Sequence, residues 1–182
     1  MTASNALPGF GDTAVGFDTP FAMLEACHER VLRSLALLQK LQDYLHDRPC
    51  DDSARQAARD VLRYFDMAAP LHHEDEELHV FPPLLERGSA DAAAAVRQLQ
   101  QDHEAMSAHW QAARTLLQAL AEGAQEAFST RDKAVLQRFA SVYAEHIRLE
   151  ENVVYPAARA LLAPEVVQAM GGEMRRRRGT TA

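Results

Sequence analysis

Two segments of the chain spell the same pattern. His72-x-x-x-Glu76-Glu77 leads to Phe81-Pro82, and His146-x-x-x-Glu150-Glu151 leads to Tyr155-Pro156. In both, the His lies ten residues before the Pro and the first Glu six before it. One copy could arise by chance, but a second at the same offsets predicts one local structure used twice. The His and first Glu of each copy are four residues apart, so on a helix they share a face.

The apolar period around these segments is helical almost throughout, and no strand pattern is visible. Pro20 at a first helical position opens helix one, which runs to about His46 with Phe21, Leu24, Val31, Leu35 and Leu38 on one stripe. Helix two starts near Asp51–Ser53 and carries Val61, Phe65 and the first motif. It is expected to kink at Pro70, which cannot bond the Asp66 carbonyl, and to end around Phe81–Pro83. Helix three spans about Ala90 to Glu122, with Gly123 as its stop. Helix four runs from Ser129–Thr130 to about Leu162, and a short fifth begins at Pro164 and ends near Gly171 or Glu173. The expectation is an all-α, antiparallel up-down four-helix bundle over 18–163. Residues 1–17 are expected to form an N-terminal arm, loose or draped on the body, and 164–182 a short helix with a basic tail.

Ionisable residues interrupt the apolar stripes. His28 sits between Leu24 and Val31; His103 falls between Leu99 and Met106; His146 and Glu150 fall between Val142 and Val153. His72 and Glu76 continue the stripe of Phe65. Antiparallel neighbours place residues at one level when they are equidistant from the joining turn. The midpoints of His28/His72, His72/His103 and His103/His146 fall beside Pro49, at Arg87-Gly88 and beside Gly123. The four imidazoles are therefore expected in one layer, with Glu76 and Glu150 one turn away.

Buried ionised carboxylates cost several kcal/mol unless compensated, and a cation compensates them. Four His and two Glu are too many donors for one tetrahedral zinc. They suit two first-row metals bridged by carboxylates, and mixed N/O ligation without thiolate fits iron or manganese.

On these residues the chain resembles the hemerythrin-like, or HHE cation-binding, family over about residues 20–162. The resemblance implies a four-helix bundle with a non-haem, carboxylate-bridged pair of Fe ions, Mn or Zn being possible substitutes. It implies metal ligation by His28, His72, Glu76, His103, His146 and Glu150. The family includes oxygen carriers, redox sensors, nitric-oxide-linked iron-centre repair proteins and iron-sensing domains. Two departures from the oxygen carriers stand out. Ser107 occupies the place of their second helix-three His, and Glu150 follows His146 by four residues where they have Asp after five. The pattern is more similar to the branch with four His and two Glu. Repair proteins of that branch also carry an N-terminal cysteine-bearing domain, for which residues 1–17 are too short. The resemblance implies a protein that binds or senses oxygen, nitric oxide or peroxide. A di-iron reductase and an iron-delivery or repair protein are the alternatives, with a protein partner for signal output or electron transfer.

Other polar residues are read more plainly. His73 and Glu77 lie about 100° from the ligand face and are expected to be solvated or to support the ligands, as could Asp102 or Glu104. His79 could flank the site, and His109 points away from His103. His46 lies ~27 Å from His28 along a straight helix. Cys27 is expected as buried filler. Met106, Trp110, Phe65 and Tyr143 are expected in the core, with a pocket above an open metal position as a further use. Arg175–Arg178 complement the dipole at a helix end. The formal net charge of −7 argues against general nucleic-acid binding. No apolar run reaches membrane-span length, no signal-peptide pattern opens the chain, and Cys27 and Cys50 make no disulfide framework. A cytoplasmic location is the default expectation.

Overall fold

A computed structural model describes residues 16–179, all of whose regular elements are helical. All but the last two residues of the expected N-terminal arm, and residues 180–182 of the expected tail, lie outside this range. The elements are α1 (Pro20–Asp47), α2 (Asp52–Asp75), a π-turn π1 (Glu76–Val80), α3 (Phe81–Arg87), α4 (Ala90–Ala121), α5 (Thr130–Ser141), α6 (Tyr143–Leu149), a second π-turn π2 (Glu150–Val154), α7 (Tyr155–Leu161) and α8 (Pro164–Arg177). They pack as a helical bundle: α1 on α2, α2 on α4, α4 on α5 and α6, and α3 on α4 and α7.

Local chemistry sets the boundaries. Asp51 and Ser89 cap α2 and α4 by accepting from Ala54 N at 2.9 Å and Ala92 N at 3.2 Å. Ser129 and Asp132 form a reciprocal capping box at the start of α5. Gly123 takes φ +77° after α4, a conformation an L side chain would strain.

One expectation about helix two is corrected: its helical path does not end at Phe81–Pro83 but continues to Arg87. The helix contains Pro70, and a departure from α geometry falls at Glu76–Val80. The repeated aromatic-Pro explains that departure. Pro82 has no N–H for the Leu78 carbonyl, and its ring crowds that turn. The chain responds by widening rather than stopping: Phe81 N–H bonds the Glu76 carbonyl. Pro156 has the same effect in the second copy, where Tyr155 N–H bonds the Glu150 carbonyl. Single π-turns of this kind recur at functional sites.

The apolar interior is split in two. One cluster contains Val31, Phe65, Ala69, Met106, Phe139 and Tyr143; the other contains Leu24, Val80, Phe81, Leu99, Val154 and Tyr155. His28, His72, His103, His146, Glu76 and Glu150 are buried where each helical stripe passes from one cluster to the other. α8 extends past the expected end at Gly171–Glu173 to Arg177. A Cβ on Gly171 would meet Phe17 O at 1.9 Å, so this contact with the start of the chain requires glycine.

Candidate metal centre

The six expected donors meet. His28 Nε2 lies 3.1 Å from His72 Nε2, and the His103 and His146 ring centroids are 5.0 Å apart. Glu76 spans the two imidazole pairs: Oε1 lies 3.6 Å from His72 Nε2, and Oε2 lies 3.5 Å from His103 Nε2. Glu150 spans them in the opposite sense. Its Oε2 lies 3.0 Å from His28 Nε2, and its Oε1 lies 2.8 Å from His146 Nε2 and 3.9 Å from His103 Nε2. Both carboxylates are fully buried.

Several of these close approaches are not hydrogen bonds. Glu76 Oε2, both oxygens of Glu150, His103 Nε2 and His146 Nε2 are buried with no hydrogen-bond partner. Buried polar atoms are nearly always paired, so lone pairs aimed at one another across a small space call for a cation between them. His28, His72, Glu76 and Glu150 each offer a donor atom within 4.8 Å of the others, as do His73, His103 and His146. The cluster fits a metal site.

The second Glu of each repeat orients a histidine from another helix. Glu77 Oε1 is 3.0 Å from His103 Nδ1, and Glu151 Oε1 is 2.8 Å from His28 Nδ1. A carboxylate on Nδ1–H fixes the ring and turns Nε2 toward the cluster. Asp102 serves His146 in the same way at 3.4 Å. Gln100 Nε2 donates to the other Glu77 oxygen at 2.8 Å. Aromatic rings pack against the same two histidines: Phe81 stacks on His103 with centroids 5.6 Å apart, and Tyr155 stacks on His28 at the same separation. The copies differ in that Tyr155 carries a hydroxyl, which donates to Glu76 Oε1 and lies 3.3 Å from His28 Nε2.

The profile described as "Hemerythrin HHE cation binding domain" matches residues 19–158. The chain belongs to the hemerythrin HHE cation-binding family. An uncharacterized protein of Haemophilus influenzae is 33% identical over 162 residues, spanning 89% of this chain and 91% of that one.

In the metal-free HHE domain, burial and then the neighbouring Glu150 charge push the Glu76 carboxyl up to about 7. Burial also acts to raise Glu150, but the His146 and His28 imidazoles outweigh it and hold that carboxyl well below the usual range. Burial disfavours charge on His28, yet Glu150 and Glu151 overcome it and raise the imidazole to about 9. His72 and His73 are kept neutral by burial and by neighbouring imidazoles. A metal ion must displace the protons held on His28 and Glu76, so affinity rises with pH. Each displaced proton contributes about tenfold per pH unit. The expected slope is therefore at least one decade per unit between pH 7 and 9, and it steepens below pH 7. Competition with a chelator of known pH dependence measures it.

The remaining polar residues separate cleanly. Glu77 and Asp102 contact the Nδ1 atoms of His103 and His146, whereas Glu104 is exposed. His73 is half-buried, its ring stacked on His103 with centroids 4.0 Å apart. His79 pairs with Glu173 at 2.6 Å, and exposed His46 lies 3.7 Å from Asp47. Cys27 is buried, and burial pushes its thiol up to about 11, which makes it inert as a nucleophile. His109 is partly buried and outside the cluster. Phe65, Met106, Trp110 and Tyr143 are core residues that also line a cavity of about 200 Å³, open to the surface and walled by Ser107 and His73. Arg177 and Arg178 turn inward onto Asp75, which is fully buried beside Glu76. No helix among the described residues is long and apolar enough to cross a membrane.

Proposed function

We propose that this chain holds two iron ions bridged by Glu76 and Glu150, and that it binds or senses a small diatomic or redox ligand such as oxygen, nitric oxide or peroxide. His28 and His72 serve one ion, His103 and His146 the other, and manganese or zinc can substitute. An antiparallel up-down order of the four helical arms belongs to the same reading. The observation that carries it is the placement of one oxygen of each buried carboxylate toward each imidazole pair, with three of those four oxygens lacking a hydrogen bond. Six residues do not fill two octahedra, so iron bound here supplies open positions and one-electron redox change. The chain's part is to hold the donors in register, to keep bulk water out, and to admit the ligand. The cavity walled by Ser107 and His73 is the route of access, sized for a small molecule.

A redox enzyme that reduces nitric oxide or peroxide with an external electron donor is the second reading. Tyr155 bears on it, because its buried hydroxyl donates to Glu76 Oε1 and lies 3.3 Å from His28 Nε2, where it can hydrogen-bond a reacting group. Iron delivery is the third; full burial of both carboxylates opposes ready release. Sensing or reduction requires a partner protein to carry the signal or the electrons.

Anaerobic titration of iron-loaded protein with oxygen and nitric oxide separates these readings. A stable ligand-bound spectrum supports binding, repeated turnover with a reductant supports an enzyme, and rapid loss of iron to an acceptor supports delivery. Ser107→Trp fills the access cavity. It is expected to leave iron content unchanged and to slow ligand association about tenfold or more, a barrier increase of at least about 1.4 kcal/mol. Stopped-flow mixing with nitric oxide checks this, and an unchanged rate would remove the cavity from the account.

A further inference from the structure

The two copies of the repeat differ at three charged positions. Glu74, Asp75 and His79 of the first copy correspond to Arg148, Leu149 and Val153 of the second. Leu149 packs against the apolar interior and Val153 is exposed, so neither place in the repeat calls for a charge. All three first-copy residues are instead matched by α8. Arg177 and Arg178 reach Asp75 at 2.5 and 2.6 Å, Arg177 reaches Glu74 at 2.9 Å, and Glu173 meets His79 at 2.6 Å. Glu173 also accepts from Arg177 Nε at 2.7 Å, which joins these pairs into one network. Asp75 directly precedes π1, and His79 lies near its far end. α8 therefore grips both ends of the turn whose first residue is Glu76. Beyond this network, α8 buries Met170, Gly171 and Met174 and pairs Arg175 with Asp18 at 2.9 Å. A terminal helix held by few apolar side chains and an ionic network opens at lower free energy than the core it rests on.

We propose that α8 is a latch on π1 that positions Glu76 for metal binding, and that metal in the centre in turn keeps the latch closed. This rests on the reading of Glu76 as a metal ligand. A carboxylate held in place before the ion arrives binds it more tightly than one that must be ordered on binding. Linkage then requires reciprocity: the factor by which docked α8 strengthens binding is the factor by which binding disfavours its release. The occupancy of a buried centre is thereby felt at the protein surface, in the freedom of α8.

The test measures hydrogen exchange of the α8 amides in the full chain, metal-free and loaded anaerobically with iron(II), and the iron(II) affinity of latch variants by chelator competition. Arg177→Gln/Arg178→Gln opens the grip on Asp75. His79→Val/Glu173→Gln, with the second-copy residue at position 79, opens the other end and carries the test if the arginine variant does not fold, which circular dichroism decides. Leu41→Ala weakens the apolar cluster to which α8 contributes no residue, and so controls for general destabilisation. Iron is expected to slow α8 exchange in the parent about fivefold or more, each latch variant to bind iron more weakly by about the same factor, and Leu41→Ala to keep the parental affinity. Parental affinity in the folded latch variants, an equal weakening in Leu41→Ala, or α8 exchange indifferent to iron would overturn the latch while leaving Glu76 as a ligand. A parent chain that binds no iron would overturn the metal reading and the latch together.

Discussion

Replacing Glu150 by alanine is expected to abolish the proposed two-metal occupancy, and Glu76→Ala to do the same. Each carboxylate joins both ends of the cluster, so neither loss is confined to one ion. Glu150 lies within 4 Å of the Nε2 atoms of His28, His103 and His146, and Glu76 within 4 Å of those of His72 and His103. Removing one shared anionic donor from two cations is expected to weaken binding of the second ion at least 100-fold, about 3 kcal/mol. Dialysis followed by elemental analysis would find at most one metal per chain. The metal-free Glu76→Ala protein is not expected to lose comparable stability, because the carboxyl it removes is buried and pushed up to about 7 before any metal arrives. Wild-type occupancy in both variants would contradict the bridging assignment.

The second large effect lies at the C-terminal helix. Arg177 and Arg178 reach Asp75 at 2.5 and 2.6 Å, and Arg177 also pairs with Glu74 and Glu173. Asp75 is fully buried and directly precedes Glu76, so α8 holds the entrance to π1 closed by charge. Removing both arginines leaves a carboxylate stranded in the interior, a situation that destabilises proteins by about 3–5 kcal/mol. Arg177→Ala/Arg178→Ala is therefore expected to unfold at markedly lower urea, measured on the metal-free protein so that metal binding does not mask the change. Adding Asp75→Asn to that variant should recover part of the loss, since it removes the stranded charge. A double variant as stable as the parent would show that the clamp has no energetic weight.

The polar layer was legible in the sequence because burial periodicity and turn placement are local signals. His28, His72, Glu76, His103, His146 and Glu150 stood where apolar residues belonged, and pairwise midpoints on breakers gave their common depth. What was not legible depends on departures from ideal α geometry or on reach across helices. The Phe81-Pro82 pair looked like a stop, because a π-turn that absorbs the missing hydrogen bond leaves no mark in apolar spacing. A 100° offset puts His73 off the ligand face, yet its ring reaches across from α2 to stack on His103 of α4. Glu77 and Glu151 act on histidines of other helices, a pairing that no single-helix projection contains. The arginine run suggested a helix-end dipole effect; its true partner, Asp75, lies about 100 residues away in sequence.

The most direct measurement is the iron stoichiometry and spin state of the purified chain after anaerobic reconstitution and oxidation. The account predicts two irons per chain and a diferric form silent in electron paramagnetic resonance, because two ferric ions joined through Glu76 and Glu150 couple antiferromagnetically. One iron per chain with an isolated high-spin ferric signal, or none retained, would contradict it.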